Sequence, residues 1–246
     1  MKRLFLFFWL LAPLPVVVWH YGPGQRWLAR DHAHTLIQRA QQFEADRKWA
    51  EAEPLYREAA ARVRDADPPL KTRLDLALVR QRYRQGGAVE AMDMIDQVLG
   101  DPKFPEQTDG LRREARELAG RIHYHAAWVM RLEGAQKDLW MEEAELARQN
   151  FRLLSEDARP GGRAGSSLLQ QTNLEASVRL QRMGLVDLMA KPLPEEGRTM
   201  VGQGLSEQMA RRRGQRGNRP GIGPGDDSQP PGGGAGNNRF QPGTGS

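Results

Sequence analysis

Cysteine is absent from this chain of 246 residues, and its absence excludes disulfides, thiolate metal sites and a cysteine nucleophile. The sequence also lacks a glycine-rich phosphate-binding loop, a Gly-x-Ser-x-Gly nucleophile elbow and a His-Glu-x-x-His zinc motif. No acid and base stand at catalytic spacing on a recognisable scaffold. We therefore expect a non-enzymatic protein that holds no cofactor and no metal ion.

Histidine is scarce, and four of the five histidines form two close pairs, His32-x-His34 and His123-x-His125. Residues two positions apart on a helix point about 200° away from each other, so neither pair can chelate a metal ion from one helix. The spacing favours histidines that are solvated or lie at helix ends.

The composition describes a polar protein with a modest core, because hydrophobic residues make up 39% of the chain and the mean hydropathy is −0.67. The net charge of +5 is distributed unevenly. Residues 211–246 contain six Arg and two Asp, which is a net charge of +4. The basic character of the protein is therefore concentrated at its C-terminus.

The longest apolar run lies at the N-terminus, where Lys2 and Arg3 precede sixteen apolar residues, Leu4 to Trp19. The whole stretch Leu4–Gln25 lacks a formal charge, and this length is typical of a membrane-spanning helix. We predict an uncleaved anchor over residues 1–25, with a cleaved signal peptide as the alternative. The lack of an Ala-x-Ala-like cleavage site favours the anchor.

The positive charges at the N-terminus predict the orientation of this anchor. Lys2 and Arg3 should stay in the cytoplasm, which places the rest of the chain on the periplasmic side of a bacterial inner membrane. Arg26 and Arg30 lie close to the other end and oppose this orientation. We expect Gly22-Pro23-Gly24 to end the membrane helix before the soluble part begins.

A pattern of small and large residues recurs along the middle of the chain. In the best copy, Ala40 and Phe43 are followed by Ala52, Tyr56 and Ala59, which share one face of a helix. The three residues of that second helix are replaced in two weaker copies by Ala91, Ile95 and Val98 and by Ala144, Arg148 and Phe151. Small residues at this spacing let two antiparallel helices approach closely.

This pattern resembles that of the tetratricopeptide repeat (TPR) family. The resemblance implies an all-α fold in which antiparallel helix pairs stack as a short TPR-like solenoid over residues 30–191. After a first pair within Arg30–Ala66, periodicity and turn signals predict helices at Leu70–Gln85, Val89–Leu99, Leu111–Leu132, Leu139–Ser155 and Leu168–Lys191. The last of these should cover the open end of the stack.

Residues 192–246 read as a disordered tail, rich in Gly, Pro and Arg. Pro192 and Pro194 should end the folded region, and Gly and Pro supply 16 of the 33 residues from Gly214 to Ser246. Such a composition cannot bury enough apolar surface to become ordered. Arg211, Arg212 and Arg213 with the neighbouring glycines resemble RNA-binding tails, although aromatic residues that would stack on bases are lacking.

The TPR resemblance also implies a binding groove, because the first helices of the pairs in this family line a concavity that holds peptides or helices. The pair Arg80 and Tyr83 recurs 41 residues later as Arg121 and Tyr124. The candidate groove residues are Arg73, Arg80, Tyr83, Arg84, Arg121 and Tyr124. Their guanidinium groups would favour an acidic segment or a free C-terminal carboxylate. A charged face that only meets solvent is the alternative.

These observations predict a non-enzymatic scaffold for protein–protein interactions that is anchored in a bacterial membrane. Two alternatives remain: a protein that binds nucleic acid or another anionic polymer through its Arg/Gly-rich tail, and an envelope enzyme subunit with an unrecognised site. The predicted orientation disfavours nucleic acid as the partner, because the tail would not meet the cytosol.

Overall fold

The computed structural model describes residues 23–63, 67–157, 164–193 and 195–217. These ranges are all-helical and contain no strand, and their helices pack against their neighbours along the chain in antiparallel pairs. The predicted all-α class is therefore confirmed. No helix within these ranges is both long and apolar enough to cross a membrane. Most of the predicted anchor, residues 1–22, lies outside them.

The first pair consists of α1 (Pro23–Ala45) and α2 (Trp49–Val63). Proline is well suited to the first turn of a helix, so α1 begins at Pro23 rather than after it. Ala40 and Ala52 are both fully buried in the core of this pair, as their small size predicts. The Tyr56 hydroxyl donates a hydrogen bond of 2.7 Å to Glu44 at the end of α1.

The second pair consists of α3 (Pro68–Arg84) and α4 (Ala88–Leu99). The Asp67 side chain caps α3 by accepting a hydrogen bond of 3.0 Å from the Leu70 amide. Gly86 makes the turn between the helices with a φ of +88°, a conformation that favours glycine.

The third pair consists of α5 (Asp109–Leu132) and α6 (Lys137–Glu156), and a short 3₁₀ turn, Phe104–Glu106, precedes it. Thr108 caps α5 through its hydroxyl. The two helices approach closely at Gly120, where a Cβ atom would lie only 2.7 Å from the Phe151 ring. In this pair the small residue is thus provided by the first helix and the large one by the second.

The C-terminal part departs from the prediction of one helix over Leu168–Lys191. The chain forms α7 (Ala164–Arg182), α8 (Leu185–Met189), α9 (Glu195–Arg198) and α10 (Leu205–Gly217). The predicted helix is interrupted because Gly184 adopts an extended backbone and begins α8. Arg131 of α5 fixes the end of α7 by donating hydrogen bonds to the carbonyl oxygens of Leu180 and Met183.

The predicted start of a disordered tail at residue 192 is wrong for residues 195–217. Met200, Leu205 and Met209 are buried in the same hydrophobic cluster as the second and third pairs. Three apolar side chains within ten residues are too few to form a core of their own. They become buried because they pack against the apolar surface of the second and third pairs. The Gly-rich sequence from residue 218 onward lies outside the described ranges.

Candidate partner-binding surface

The face formed by the first helices of the pairs, α1, α3 and α5, carries the arginines that the sequence singles out. Arg80 of α3 forms an ion pair of 2.5 Å with Glu114 of α5. Arg84 of α3 lies 3.6 Å from the carboxylate of Glu44 and 4.5 Å above the Trp49 ring. Arg73 is exposed. Arg80 and Arg84 therefore link α3 to its neighbours, which reduces the positive charge that they offer to a partner.

Tyr83 does not face a groove, contrary to the prediction. Its side chain is only 2% exposed, and its hydroxyl is hydrogen-bonded to Nδ1 of His125 on α5. The two rings are nearly parallel, with centroids 6.0 Å apart. Gly197 of the C-terminal segment also lies close to the His125 ring. Tyr83 thus belongs to the core between α3 and α5.

Arg121 and Tyr124 do share a surface, because they line one cleft between α5 and α7. The cleft has a volume of about 300 Å³. Its lining residues come from three helices and are Glu117, Arg121, Tyr124, His125, Phe151, Leu169, Asn173 and Ala176. The cleft combines a cation, a carboxylate, an amide and aromatic rings within a few side chains.

Tyr124 is held in place between the cleft and the core. Its ring packs edge-on against Trp128 one turn later, with centroids 5.7 Å apart. Burial raises the pKa of Tyr124 to about 12, although the nearby Arg179 opposes this shift. The phenol therefore stays protonated at neutral pH, and its hydroxyl is able to donate a hydrogen bond to a ligand.

The sequence pattern does not predict the contribution of α7 to the cleft. Leu169 is 51% exposed at the mouth of the cleft. Asn173 follows one helical turn later on the same side. The adjacent Leu168 is also exposed. A helix that covers the end of a repeat stack normally has a polar outer face, so α7 exposes more apolar surface than this role requires.

A second recess lies on the other side of α7, between this helix and α8. It is more open, has a volume of about 950 Å³ and has largely apolar walls that include Leu174, Val178 and Met183. Beside it, Val186 and Met189 of α8 are exposed. Apolar surface is therefore accessible on both sides of α7.

The expectation of solvated histidines holds for His32 and His34, which are exposed, and fails for the second pair. His123 is 1% exposed and His125 is 5% exposed. Nδ1 of His123 lies 2.5 Å from Glu143 on α6, and Nε2 lies 3.5 Å from Asp96 on α4. Within the described residues, no three His, Asp or Glu side chains are grouped so that they could hold a metal ion.

The three consecutive arginines of the predicted tail belong to α10, and two of them pair with carboxylates of the helix pairs. Arg212 contacts Asp93 and Asp96, and Arg213 lies 2.5 Å from Asp138. Arg211 pairs with Glu207 of its own helix. An anionic polymer would therefore have to compete with these contacts before it could bind the three arginines.

Comparisons of the chain with protein-family models, with curated proteins and with solved structures find no match. The TPR resemblance therefore stays a prediction from the residue pattern. What the structure contributes independently is the pairing of the helices and the position of the cleft.

Proposed function

We propose that this protein is a non-enzymatic scaffold, built as a TPR-like stack of helix pairs, that binds a segment of another protein in the cleft between α5 and α7. The observation that supports this proposal is the joint presence of Arg121, Tyr124 and Leu169 around one concave site of about 300 Å³. This volume is at the lower end of the range for ligand pockets and suits a few side chains of a peptide.

The chemistry of the cleft favours a partner segment that combines a carboxylate with an apolar side chain. The guanidinium of Arg121 is suited to a carboxylate, whether from an acidic side chain or from a C-terminus. Phe151 and Leu169 offer apolar contact beside it, and Asn173 supplies an amide. Of the six predicted groove residues, our proposal uses Arg121 and Tyr124, which line this cleft.

We further propose that the uncharged stretch Leu4–Gln25 attaches this scaffold to a bacterial inner membrane, with the helix pairs on the periplasmic side. The protein should remain in the membrane pellet after carbonate extraction and keep Met1. A mature soluble chain that begins near Gln25 would show a cleaved signal peptide instead.

The binding site can be tested by photo-crosslinking in intact cells. A photoreactive amino acid at Leu169, which lies at the mouth of the cleft, should give a discrete protein adduct. Arg121→Ala should reduce the yield of this adduct about tenfold or more, because a charge-assisted hydrogen bond contributes roughly 1.5–3 kcal/mol. Raised salt should reduce the yield as well.

The control position is Arg62 on α2, which is exposed and forms an ion pair only one turn away, with Glu58 on its own helix. A photoreactive residue at Arg62 should not give the same adduct, and Arg62→Ala should not weaken the adduct formed at Leu169. Equal adducts from both positions, or an adduct that survives Arg121→Ala unchanged, would contradict the proposed site.

A further inference from the structure

The helix α10 lies in a trough between the second helices of two pairs, α4 and α6, away from the cleft. Its contacts with these two helices and with α5 join the C-terminus of the described chain to the folded domain. Leu205 and Met209, one turn apart, form its buried side. The opposite side is polar and exposed, so α10 is an amphipathic helix seated by a narrow apolar stripe.

The trough holds the first turn of α10 by a specific cap. The carboxylate of Glu133, at the end of α5, accepts hydrogen bonds from the backbone amides of Leu205 at 3.3 Å and Ser206 at 2.7 Å. It also accepts a hydrogen bond of 2.7 Å from the Ser206 hydroxyl. A negative charge at this end of a helix complements the helix dipole. The trough thus recognises the start of a helix as well as its apolar side.

Two adjacent arginines of α10 meet carboxylates on both walls of the trough. Arg212 contacts Asp93 and Asp96 on α4, and its side chain is only 11% exposed. Arg213 reaches the other wall, where Asp138 lies at 2.5 Å and Glu142 at 3.9 Å. The charges of the trough and of the helix are therefore complementary across both walls.

The attachment of α10 is peripheral rather than part of a helix pair. Gly202 and Gly204, both with positive φ angles, connect it to the preceding segment, and neither meets another residue where a Cβ atom would lie. Glycines of this kind allow the connection to change direction at little steric cost. A change of backbone direction at these two glycines would move α10 away from the pairs on which it lies.

We propose that the trough between α4 and α6 is a docking site for an amphipathic helix with two adjacent arginines, which α10 occupies in cis and a partner helix of the same chemistry occupies after α10 is released. This site is separate from the cleft between α5 and α7, and the two can be tested independently. In this arrangement the tethered α10 competes with the partner helix for the trough, so the partner must bind the trough more tightly in order to displace α10.

Release of α10 is measured by hydrogen exchange on the full chain in mild detergent. Arg212→Glu places a negative charge beside Asp93 and Asp96, so the amides of residues 205–217 should exchange about tenfold faster or more, as expected for the loss of a charge-assisted contact. Arg211→Glu is the matched control, because Arg211 is 72% exposed and pairs within its own helix. The amides of α3 and α5 should stay protected in both variants.

Docking in trans is measured with a fluorescent peptide of residues 203–217. The peptide should bind the Arg212→Glu chain, whose trough is open more often, and should bind the wild-type chain at least about tenfold more weakly, because the tethered helix fills the trough. The same peptide carrying Glu in place of Arg212 should not bind. Equal exchange in the two variants would overturn the proposal. Equal peptide binding to the wild-type and Arg212→Glu chains, or no binding to the latter, would also overturn it.

Discussion

Raising the pH should destabilise this protein through one buried residue, His123. Both ring nitrogens of His123 face carboxylates, with Glu143 at 2.5 Å and Asp96 at 3.5 Å. A neutral imidazole has only one N–H group, so it cannot donate to both carboxylates, whereas the imidazolium can. Arg212 of α10 contacts the second carboxylate oxygen of Asp96, Oδ2, at 3.3 Å. The folded protein therefore favours the protonated ring.

The size of the effect follows from the pKa of this ring. Burial by itself would lower the pKa of His123, but the hydrogen bonds to Asp96 and Glu143 outweigh burial and raise the pKa from 6.5 to about 9. Since one pKa unit corresponds to about 1.4 kcal/mol, protonated His123 stabilises the fold by roughly 3 kcal/mol. This stabilisation is complete below about pH 6.5, declines as the pH rises, and is lost above about pH 9.

The assay is urea unfolding of the full chain in mild detergent, followed by circular dichroism between about pH 6 and about pH 10. The free energy of unfolding should fall by roughly 3 kcal/mol across this window. His123→Gln should be less stable by roughly 3–5 kcal/mol near neutral pH, because Glu143 then remains buried without its cation. It should also lose most of the pH dependence. Adding Glu143→Gln to His123→Gln should restore part of the stability.

Two other groups with raised pKa values affect the same measurement, but only at its alkaline end. Burial, with the hydrogen bond to Glu44 as a second cause, raises the pKa of Tyr56, and burial raises that of Tyr124 to about 12. In the unfolded chain both phenols ionise with a pKa of about 10, so they lower the free energy of unfolding only near pH 10, above the range in which the effect of His123 develops. A free energy of unfolding that stays constant through the window, or that falls equally in His123→Gln, would refute the assignment of a charged His123.

The remaining predictions concern close contacts within the helix pairs, and thermal unfolding tests each of them. Gly120→Ala should lower the free energy of unfolding by about 1–3 kcal/mol, because the new Cβ would lie 2.7 Å from the Phe151 ring. Gly110→Ala in the same helix should be neutral or stabilising, since nothing lies within 4 Å of the new Cβ. An equal loss of stability in both variants would exclude the close contact as the cause. Ala52→Leu should also lower the free energy of unfolding by about 1–3 kcal/mol, because Ala52 and Ala40 are fully buried in one core. Unchanged stability would mean that α1 and α2 do not pack as described.

The cleft shows where prediction from sequence reaches its limit. The same Arg-x-x-Tyr spacing occurs on two equivalent helices, at Arg80 and Tyr83 and again at Arg121 and Tyr124. The sequence therefore predicts the same environment for both tyrosines. His125 stacks on Tyr83 and removes it from the surface, while the corresponding space beside Tyr124 is the cleft. Which outcome applies depends on the helix that packs next to each pair, and no local pattern contains this information.

The arginines show the same limit for charge. A run of Arg on a helix face can bind a partner or meet only solvent, and neither reading anticipated that Arg80 pairs with Glu114 on the next first helix. The two residues are 34 positions apart, and only the register of α3 against α5 brings them together.

The sequence by itself determined the helix pairs, because their signals are local. Small residues at helical spacing, the cap at Asp67 and the turn at Gly86 act within a few residues of the chain, and they set helix boundaries such as the start of α3 at Pro68 and its end at Arg84. Only the tertiary structure determines that residues 195–217 are folded. Their glycines and sparse apolar residues make a weak helix in isolation. The helix α10 becomes ordered because Glu133 caps its first turn and the trough between α4 and α6 supplies the apolar contact and the opposite charges.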